Sequence, residues 1–304
     1  MDSERENRKS NWSNLTLVCL IDIFSKLTFE ERWTGPMLVC KSWFSACKDP
    51  SFFETLDLEP FFKDRNYTIS WWSPQFEKKI DSMVRSVASW SCGGLKEIRI
   101  RHCSDEALAF AAERSPALQV ISIKSSPNVT DASIFKVANH CSLLKDLDIS
   151  YCHNISHESI RLIGLKCRNL TILRRNMLNW LDPSQLSGLI PSEYVNSAPQ
   201  CGDEEAAVFA KFMPRLEYLE IQFSRITPKG LELIAQGCLD LAQLDLFGCA
   251  NLTSRSVEHA CTSMKNLKNI VKPDFYISRS VFHAERYGHW RLYDERFQTN
   301  VFQI

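Results

Sequence analysis

The chain has 304 residues, of which 44% are hydrophobic and 24% charged, a composition typical of a globular protein that can bury a sizeable core. Its 36 basic and 36 acidic residues cancel, so the composition predicts neither a nucleic-acid partner nor attachment to an anionic membrane. The first residues lack the apolar core of a signal peptide and no apolar run approaches the ~18 residues of a membrane span, so we expect the nucleus, the cytoplasm or both.

Residues 1–10 are polar or charged apart from Met1 and are predicted to be disordered. In the next segment, residues 11–53, Thr16 can cap a helix that runs from Leu17 to Leu27. This helix is apolar nearly all the way round, and a segment of about forty residues is too small to cover it. We therefore expect some apolar surface to be left for a neighbour or a partner.

Residues 11–53 resemble the F-box, and their stretch WTGPMLVCKSW is most similar to plant members. The matching positions are Leu15, Thr16, Leu20, Ile23, Phe24, Leu27, Val39, Cys40, Lys41, Trp43, Asp49, Pro50, Phe52 and Phe53. Thr16 departs from the family pattern, which usually has proline there. The resemblance implies an all-α module that binds the Skp-class adaptor of a cullin–RING ubiquitin ligase.

Carried over position by position, the resemblance assigns adaptor binding to Trp12, Leu15, Thr16, Leu20, Ile23, Phe24, Val39, Cys40 and Trp43. For Val39, Cys40 and Trp43, an equally good explanation is that they hold the helices of the module together. Trp12 and Leu15 precede the helix, where an apolar side chain has little else to pack against.

Residues 54–272 are built from copies of one unit. The copies open with Leu95, Leu118, Leu144, Leu170, Leu216, Leu241 and Leu267. Apolar residues recur three and five positions later in most copies, the spacing of a short strand with one buried side. A hydroxyl residue able to cap a helix then follows, at Ser104, Thr130, Ser156, Thr227 and Thr253.

This pattern resembles the cysteine-containing leucine-rich repeat over residues 92–272, although Arg175 and Leu178 break two of its columns. Such units stack into a solenoid because none can bury its faces alone. The predicted fold class is α/β: an all-α F-box, then a solenoid with parallel strands on its concave face and helices on its convex face. Residues 53–58 already have the strand spacing, and Ser73 and Pro74 open a helix of an enlarged first repeat.

Two segments lack the repeat. An insertion at about residues 176–215, which ends in a helix from Asp203 to Met213, either carries recognition or packs along the rim of the solenoid. The tail, residues 273–304, is rich in aromatic residues and is predicted to cap the last repeat or, alternatively, to fold over the concave face.

The chain contains twelve cysteines, and most fall in repeat columns. We interpret them as buried apolar side chains and not as disulfides, since no signal peptide is seen. No two cysteines have the two-residue separation typical of zinc sites, so we predict no metal and no cofactor.

The residues two, four and six positions after each opening leucine point away from the core, onto the concave face. Ten of them are candidates for substrate binding: Arg99, Arg101, Lys124, Asp146, Asp148, Arg174, Tyr218, Glu220, Asp245 and Phe247. The early strands are basic, the third acidic, the fourth basic and the last two acidic with two aromatic residues, a composition expected of a surface that binds protein. The alternative is a solvated charged face without a ligand.

These features predict the substrate-recognition subunit of an SCF-type ubiquitin ligase. The F-box binds the adaptor, and through it the cullin and RING subunits, while the repeats bind an unidentified protein to be degraded. The chain is then not an enzyme, because it contributes proximity to a bound partner enzyme. A protein-binding scaffold outside a ligase and an enzyme with a Cys–His pair are the alternatives, and the latter needs an exposed cysteine of low pKa.

Overall fold

The computed structural model describes residues 15–63, 69–181, 189–196 and 202–274. Trp12, the disorder predicted for residues 1–10 and nearly all of the predicted tail at 273–304 lie outside these ranges. The N-terminal module, residues 15–53, contains α1 (Leu17–Phe24), α2 (Phe29–Thr34) and α3 (Lys41–Ala46), with 3-10 turns at Pro36–Leu38 and Pro50–Phe52.

The repeat region alternates strands and helices. The described strands are β1 (Thr55–Asp57), β2 (Glu97–Arg101), β3 (Val120–Lys124), β4 (Asp146–Asp148), β5 (Ile172–Arg174), β6 (Tyr218–Glu220), β7 (Gln243–Asp245) and β8 (Asn269–Val271). The described helices are α4 (Glu59–Lys63), α5 (Pro74–Trp90), α6 (Asp105–Arg114), α7 (Asp131–His140), α8 (His157–Lys166), α9 (Ser192–Asn196), α10 (Asp203–Phe212), α11 (Pro228–Gly237) and α12 (Ser254–Ser263). None of these helices combines the length and the apolar character needed to cross a bilayer.

The strands form one parallel sheet whose spatial order is their order in the sequence. One aliphatic column runs through the paired positions of all eight strands: Leu56, Ile98, Ile121, Leu147, Leu173, Leu219, Leu244 and Ile270. The first seven of these side chains are buried under the helices. Neighbouring helices pack on each other in chain order, so each repeat is stabilised mainly by the repeats beside it. The predicted α/β solenoid is confirmed.

The convex helices begin at the predicted hydroxyl residues. Ser104, Thr130, Ser156, Thr227 and Thr253 each accept a hydrogen bond from a backbone N–H in the first turn of their own helix. In four repeats the cap residue also donates its own N–H and hydroxyl to a carboxylate of the preceding repeat: Ser104 to Asp81, Thr130 to Asp105, Ser156 to Asp131 and Thr227 to Asp203. This ladder of aspartates links consecutive repeats along the convex side.

Arg175, which breaks an aliphatic column, is completely buried. Its guanidinium donates to the carbonyl oxygens of Cys152 at 2.7 Å and Ile155 at 2.9 Å, and to the carboxylate of Glu205 at 3.2 Å. Glu205 lies in α10, the helix that ends the insertion, and is itself buried. The break in the pattern therefore marks the point where the end of the insertion is fastened back onto the solenoid.

The insertion follows the edge of the sheet at which the strands end. Trp180 Nε1 donates to the carbonyl oxygen of Phe223 at 2.8 Å, and the Tyr194 ring stacks on His153 with centroids 4.4 Å apart and lies 4.7 Å from Trp72. The predicted helix is α10, and it packs between α8 and α11 as the convex helix of a repeat. In the described residues the insertion thus packs along the rim, and a role in recognition stays a prediction.

An aromatic joint connects the N-terminal module to the solenoid. Trp90, at the end of α5, lies with ring centroids 5.7 Å from Trp33, 5.4 Å from Phe53 and 6.2 Å from Phe44. Phe29 extends the joint by packing on Trp33 at 5.2 Å. Such offset and edge-to-face pairs add to the apolar area buried at the joint and restrict the module's orientation.

Candidate binding surfaces

The N-terminal module has a very small core. Its own hydrophobic cluster has four buried members, Leu20, Phe24, Ala46 and Cys47, and the Phe24 ring meets Trp43 edge-on at 5.2 Å. Leu20 and Phe24 are 0% and 2% exposed, so neither side chain is available to a partner in this conformation. They point towards α3 because α1 uses one side to hold the module together, and their assignment as contact residues stays a prediction.

Other positions of α1 and the turn before α3 expose apolar side chains. Val18 is 76% exposed, Leu38 77%, Val39 60%, Leu17 51% and Ile23 40%. Together they are named the apolar face of the module. Isolated exposed apolar residues are common on folded proteins, but five within one module of about forty residues indicate a surface that is covered in an assembly.

The remaining sequence candidates lie at the margin of this face. Thr16 is exposed and caps α1, accepting a hydrogen bond from Cys19 N–H at 3.4 Å. Leu15, Cys40 and Trp43 are half-buried, and Leu15 and Trp43 pack against the module core. Trp43 therefore helps to hold the module together, and Val39 is exposed; adaptor contact by either residue stays a prediction.

Buried Arg32 fixes the orientation of α1. Its guanidinium donates to the carbonyl oxygens of Phe24, at 3.3 Å, and Leu27, and packs over the Phe52 ring at 4.7 Å. A cation at the C-terminal end of a helix is favourable because the free carbonyls carry partial negative charge. Burial lowers the pKa of Arg32 and raises the pKa of the neighbouring Cys47 thiol.

The concave face carries the predicted charged residues, but most of them neutralise one another. Arg101 makes two 2.8 Å hydrogen bonds to Glu59 of α4, and Arg174 contacts Asp146 at 2.7 Å and Glu220 at 3.6 Å. In the same way Arg99 pairs with Glu97, and Lys124 with Asp148 at 3.2 Å. The basic stripe expected on the early strands is therefore balanced by acidic partners, one of which comes from a helix that the sequence did not predict.

Burial within this network shifts the pKa of individual groups. Asp146 and Asp148 are 9% and 3% exposed, so neither carboxylate reaches a ligand easily. Burial raises the pKa of Asp146, although the Arg174 guanidinium opposes the shift. Burial and a 2.9 Å hydrogen bond to Glu220 raise the pKa of Tyr218 to about 12.

Eight of the ten candidates, all but Asp146 and Asp148, are partly exposed, and those of the last two repeats include both aromatic residues. Tyr218, Glu220, Asp245 and Phe247 are half-buried, and Phe247 packs edge-on against Phe223 at 5.5 Å. Asp245 accepts from Gln222 Nε2 at 2.8 Å and from Phe247 N–H at 2.9 Å. These strands present aromatic rings beside acidic groups, a composition found at protein interfaces.

Most cysteines in the repeat columns are buried, as the sequence predicted, whereas Cys92 is exposed. Burial raises the thiol pKa of Cys141 and Cys152 to about 12 and that of Cys167 to about 11. Because the thiolate is the nucleophile, these thiols are poorly suited to catalysis. Within the described ranges, no group of three or more His, Cys, Asp and Glu side chains could hold a metal ion.

The sequence missed three members of the apolar face, Leu17, Val18 and Leu38. A helix that is apolar all round does not reveal which side faces its own module, so the predicted contact residues rested on the family motif alone. The signal that could have found them is the same excess of apolar residues: once Leu20 and Phe24 fill the small core, the others have no room inside.

Comparison with known proteins assigns this architecture to a family. Residues 12–55 match the F-box domain family. The chain is 52% identical over 301 residues to "F-box protein SKIP1" of Arabidopsis thaliana, covering 98% of this chain and 100% of that protein. It is 47% identical over 281 residues to "Putative F-box/LRR-repeat protein 19" of Arabidopsis thaliana, covering 92% and 93% of the two chains.

Among solved structures, a chain in "Crystal structure of Rad7 and Elc1 complex in yeast" is similar at 16% identity and a TM-score of 0.34, covering 71% of this chain and 64% of that one. Similarity at this level supports no functional comparison. The two Arabidopsis relatives match nearly the whole chain, including both the N-terminal module and the repeats. The chain accordingly belongs to the F-box/LRR-repeat proteins, with close relatives among plant members.

Proposed function

We propose that this protein is the substrate-recognition subunit of an SCF-type ubiquitin ligase. The N-terminal module binds a Skp-class adaptor, which brings the cullin and RING subunits, and the solenoid binds the protein to be ubiquitinated. The chain contributes binding and position, and the chemical step belongs to its partners. Membership of the F-box/LRR-repeat proteins supports this role.

The observation that carries the proposal is the apolar face of the module. Its five residues stay exposed although the aromatic joint covers another side of the same module. A surface of this kind is stabilised when a partner buries it, with roughly 25 cal/mol for each Å² of apolar area removed from water. No segment within the described residues is seen to cover the concave face of the solenoid, the surface proposed here to bind a second protein.

The test is co-purification of the full chain with a Skp-class adaptor. Ile23→Asp combined with Val39→Asp places two charges on exposed positions of the apolar face, so we expect the fold to survive and adaptor affinity to fall about a hundredfold. Ile69→Asp combined with Phe135→Asp changes exposed apolar residues of the solenoid and serves as the control.

Unchanged adaptor binding by the module variant would contradict the proposal. If the wild-type chain recovers partners from a plant extract but neither adaptor nor cullin, the protein is a scaffold that acts outside a ligase. That outcome separates the two functions that the sequence left open.

A further inference from the structure

A second surface lies on the edge of the solenoid where each helix ends and the next strand begins. Consecutive turns are held side by side there: Thr171 N–H donates to the Lys145 carbonyl at 2.9 Å, Glu217 N–H to that of Thr171 at 2.8 Å, and Ala242 N–H to that of Glu217 at 2.8 Å. Residues just before these positions are therefore neighbours in space. Five of them, Leu143, Arg168, Phe212, Arg215 and Leu239, are named the return rim.

A cleft of about 250 Å³ opens in the middle of the return rim, between the ends of α8 and α10. Leu170, Phe212 and Met213 form its apolar lining. The two helices approach closely because Gly164 has no side chain: a Cβ at Gly164 would lie only 2.8 Å from the Phe212 Cβ. The cleft is smaller than the roughly 300–1,000 Å³ of a typical small-molecule site, so it suits one bulky side chain of a peptide.

Exposed apolar residues continue the surface on both sides of the cleft. Leu143, in the turn before β4, is 46% exposed, and Leu239, in the turn before β7, is 65% exposed. The cleft itself lies at the turns before β5 and β6, so the apolar positions span four consecutive turns. An extended peptide crossing these turns would meet an apolar contact at each end and a cleft at its centre.

The charged side chains that line the cleft are both cationic, although the turns before β6 and β7 also carry exposed Glu217 and Asp240. Arg168 and Arg215 are exposed at its mouth, and Lys166 and Lys211 end the two flanking helices. None of these four cations forms an ion pair within the part of the chain that the structure describes. Elsewhere on the convex side, Arg85, Lys136 and Arg161 each pair with a glutamate.

The arginine side chains are held in place without a carboxylate. Arg168 Nε donates to the Leu165 carbonyl at 2.9 Å, and Arg215 Nη1 donates to the Arg168 carbonyl at 3.3 Å. Each guanidinium has five N–H donors, so several remain for a ligand. Arginine recognises carboxylates well because its donors match their geometry.

We propose that the return rim is a docking site for an acidic segment of a partner protein, with one bulky apolar side chain in the cleft and carboxylates on Arg168 and Arg215. This site is separate from the apolar face of the module and from the concave face. It does not depend on the ligase role, since neither the adaptor nor the concave residues take part in it.

The test uses the purified full chain and fluorescein-labelled peptides, measured by fluorescence anisotropy. The probe has the sequence DELEDFEDLE, and its two controls replace either all acidic residues by Lys or all apolar residues by Ala. We expect the probe alone to bind, and its affinity to fall as salt is raised from about 0.05 M to about 0.5 M because exposed charges are screened.

Variants locate the site. Arg168→Glu with Arg215→Glu is expected to weaken probe binding at least about tenfold, whereas Lys229→Glu with Lys265→Glu makes the same change in net charge and leaves binding within about twofold. Lys265 is a matched control because it occupies the position of Arg168 in a later repeat, directly after Met264 as Arg168 follows Cys167.

All of these substitutions are at exposed positions, and circular dichroism checks that the fold is kept. The proposal is overturned if DELEDFEDLE does not bind, if its Ala control binds equally well, or if the two double variants lose affinity to the same extent. The last result would show that the net charge of the protein attracts the acidic probe and that the return rim is not a specific binding site.

Discussion

Arg175 shows how one residue can depart from a repeat and still be stabilised within it. A fully buried guanidinium loses its hydration, a cost that three carbonyl contacts and the Glu205 carboxylate offset. In the sequence, Arg175 stood out only as a charged residue at an aliphatic position of the repeat. Its partner, Glu205, lies thirty positions later near the end of the insertion, and the periodicity of the repeat does not predict a contact over that distance.

Glu205→Ala is predicted to lower the free energy of unfolding by about 3 kcal/mol, because it leaves a buried charge without its counter-ion. Urea denaturation followed by circular dichroism measures the change. The matched control is Glu204→Ala, which removes the exposed neighbouring carboxylate and is expected to cost less than about 0.5 kcal/mol. Equal losses in both variants would refute the structural role given to the Arg175–Glu205 pair.

Two buried histidines make stability depend on pH. Burial lowers the pKa of His102 to about 3 and that of His153 to about 4, and the positive charges of Arg101 and Arg175 add to the respective shifts. In the unfolded chain both histidines have a pKa near 6.5, so the unfolded state takes up protons there that the folded state does not. The stability that comes from keeping the two histidines neutral is complete above pH 6.5 and is lost as the pH falls towards their folded-state pKa values.

For each histidine, the free energy of unfolding is therefore predicted to fall by about 2 kcal/mol as the pH is lowered from 6.5 to 5. His102→Asn keeps a residue suited to the positive φ of 56° at this position but does not titrate there, so it should flatten the pH profile of the melting temperature. His140→Asn, at an exposed position, is the control and should leave the slope unchanged. Parallel profiles for the wild type and His102→Asn would rule out this linkage.

At the scale of single elements, the aspartate ladder explains how consecutive convex helices are locked together. Asp131 accepts from Ser156 N–H at 2.8 Å, from the Ser156 hydroxyl at 2.7 Å and from Ser159. Burial favours a raised pKa for Asp131, but these hydrogen bonds outweigh it and the pKa is lowered. The Asp131 carboxylate thus accepts the hydrogen bonds of the N-cap residue of the next helix. That N-cap residue in turn accepts a hydrogen bond from the first turn of its own helix.

Asp131→Ala is expected to destabilise the protein by about 2 kcal/mol, because it leaves a half-buried cap N–H and hydroxyl without their acceptor. Thermal unfolding by calorimetry tests this value against Asp240→Ala, an exposed acid that should change stability by less than about 0.5 kcal/mol. A loss for Asp131→Ala no larger than that of the control would mean that the ladder is not structurally important.

Strands and helices were predictable where the same physical requirement applies to every copy of the repeat. The strands were found because burial under the helices demands aliphatic residues such as Ile98 and Leu147 at fixed spacing. The first residues of the helices were found because each first turn needs a cap. The aspartate ladder and α4 were missed, since their partners lie in another repeat or before the first full one. On the module, composition predicted an exposed apolar surface but not that Leu20 and Phe24 turn inward.

At the scale of the whole molecule, an aromatic joint connects the two surfaces to which the proposed function assigns binding. Trp90 anchors the module to the first full repeat through Trp33, Phe44 and Phe53, and the parallel sheet continues from there through eight strands of the described chain. Under the proposed function, this joint would set the distance between a ligase bound at the module and a substrate bound at the sheet. The proposed contribution of the chain is then position.

The most direct test of this account is hydrogen–deuterium exchange of the full chain, alone and with a purified Skp-class adaptor. We predict new protection in the peptides that contain α1 and the Pro36–Leu38 turn, because the adaptor covers the apolar face, with exchange in strands β2 to β7 unchanged. Protection that appears on the strands and not on the module, or no complex at all, would contradict the account.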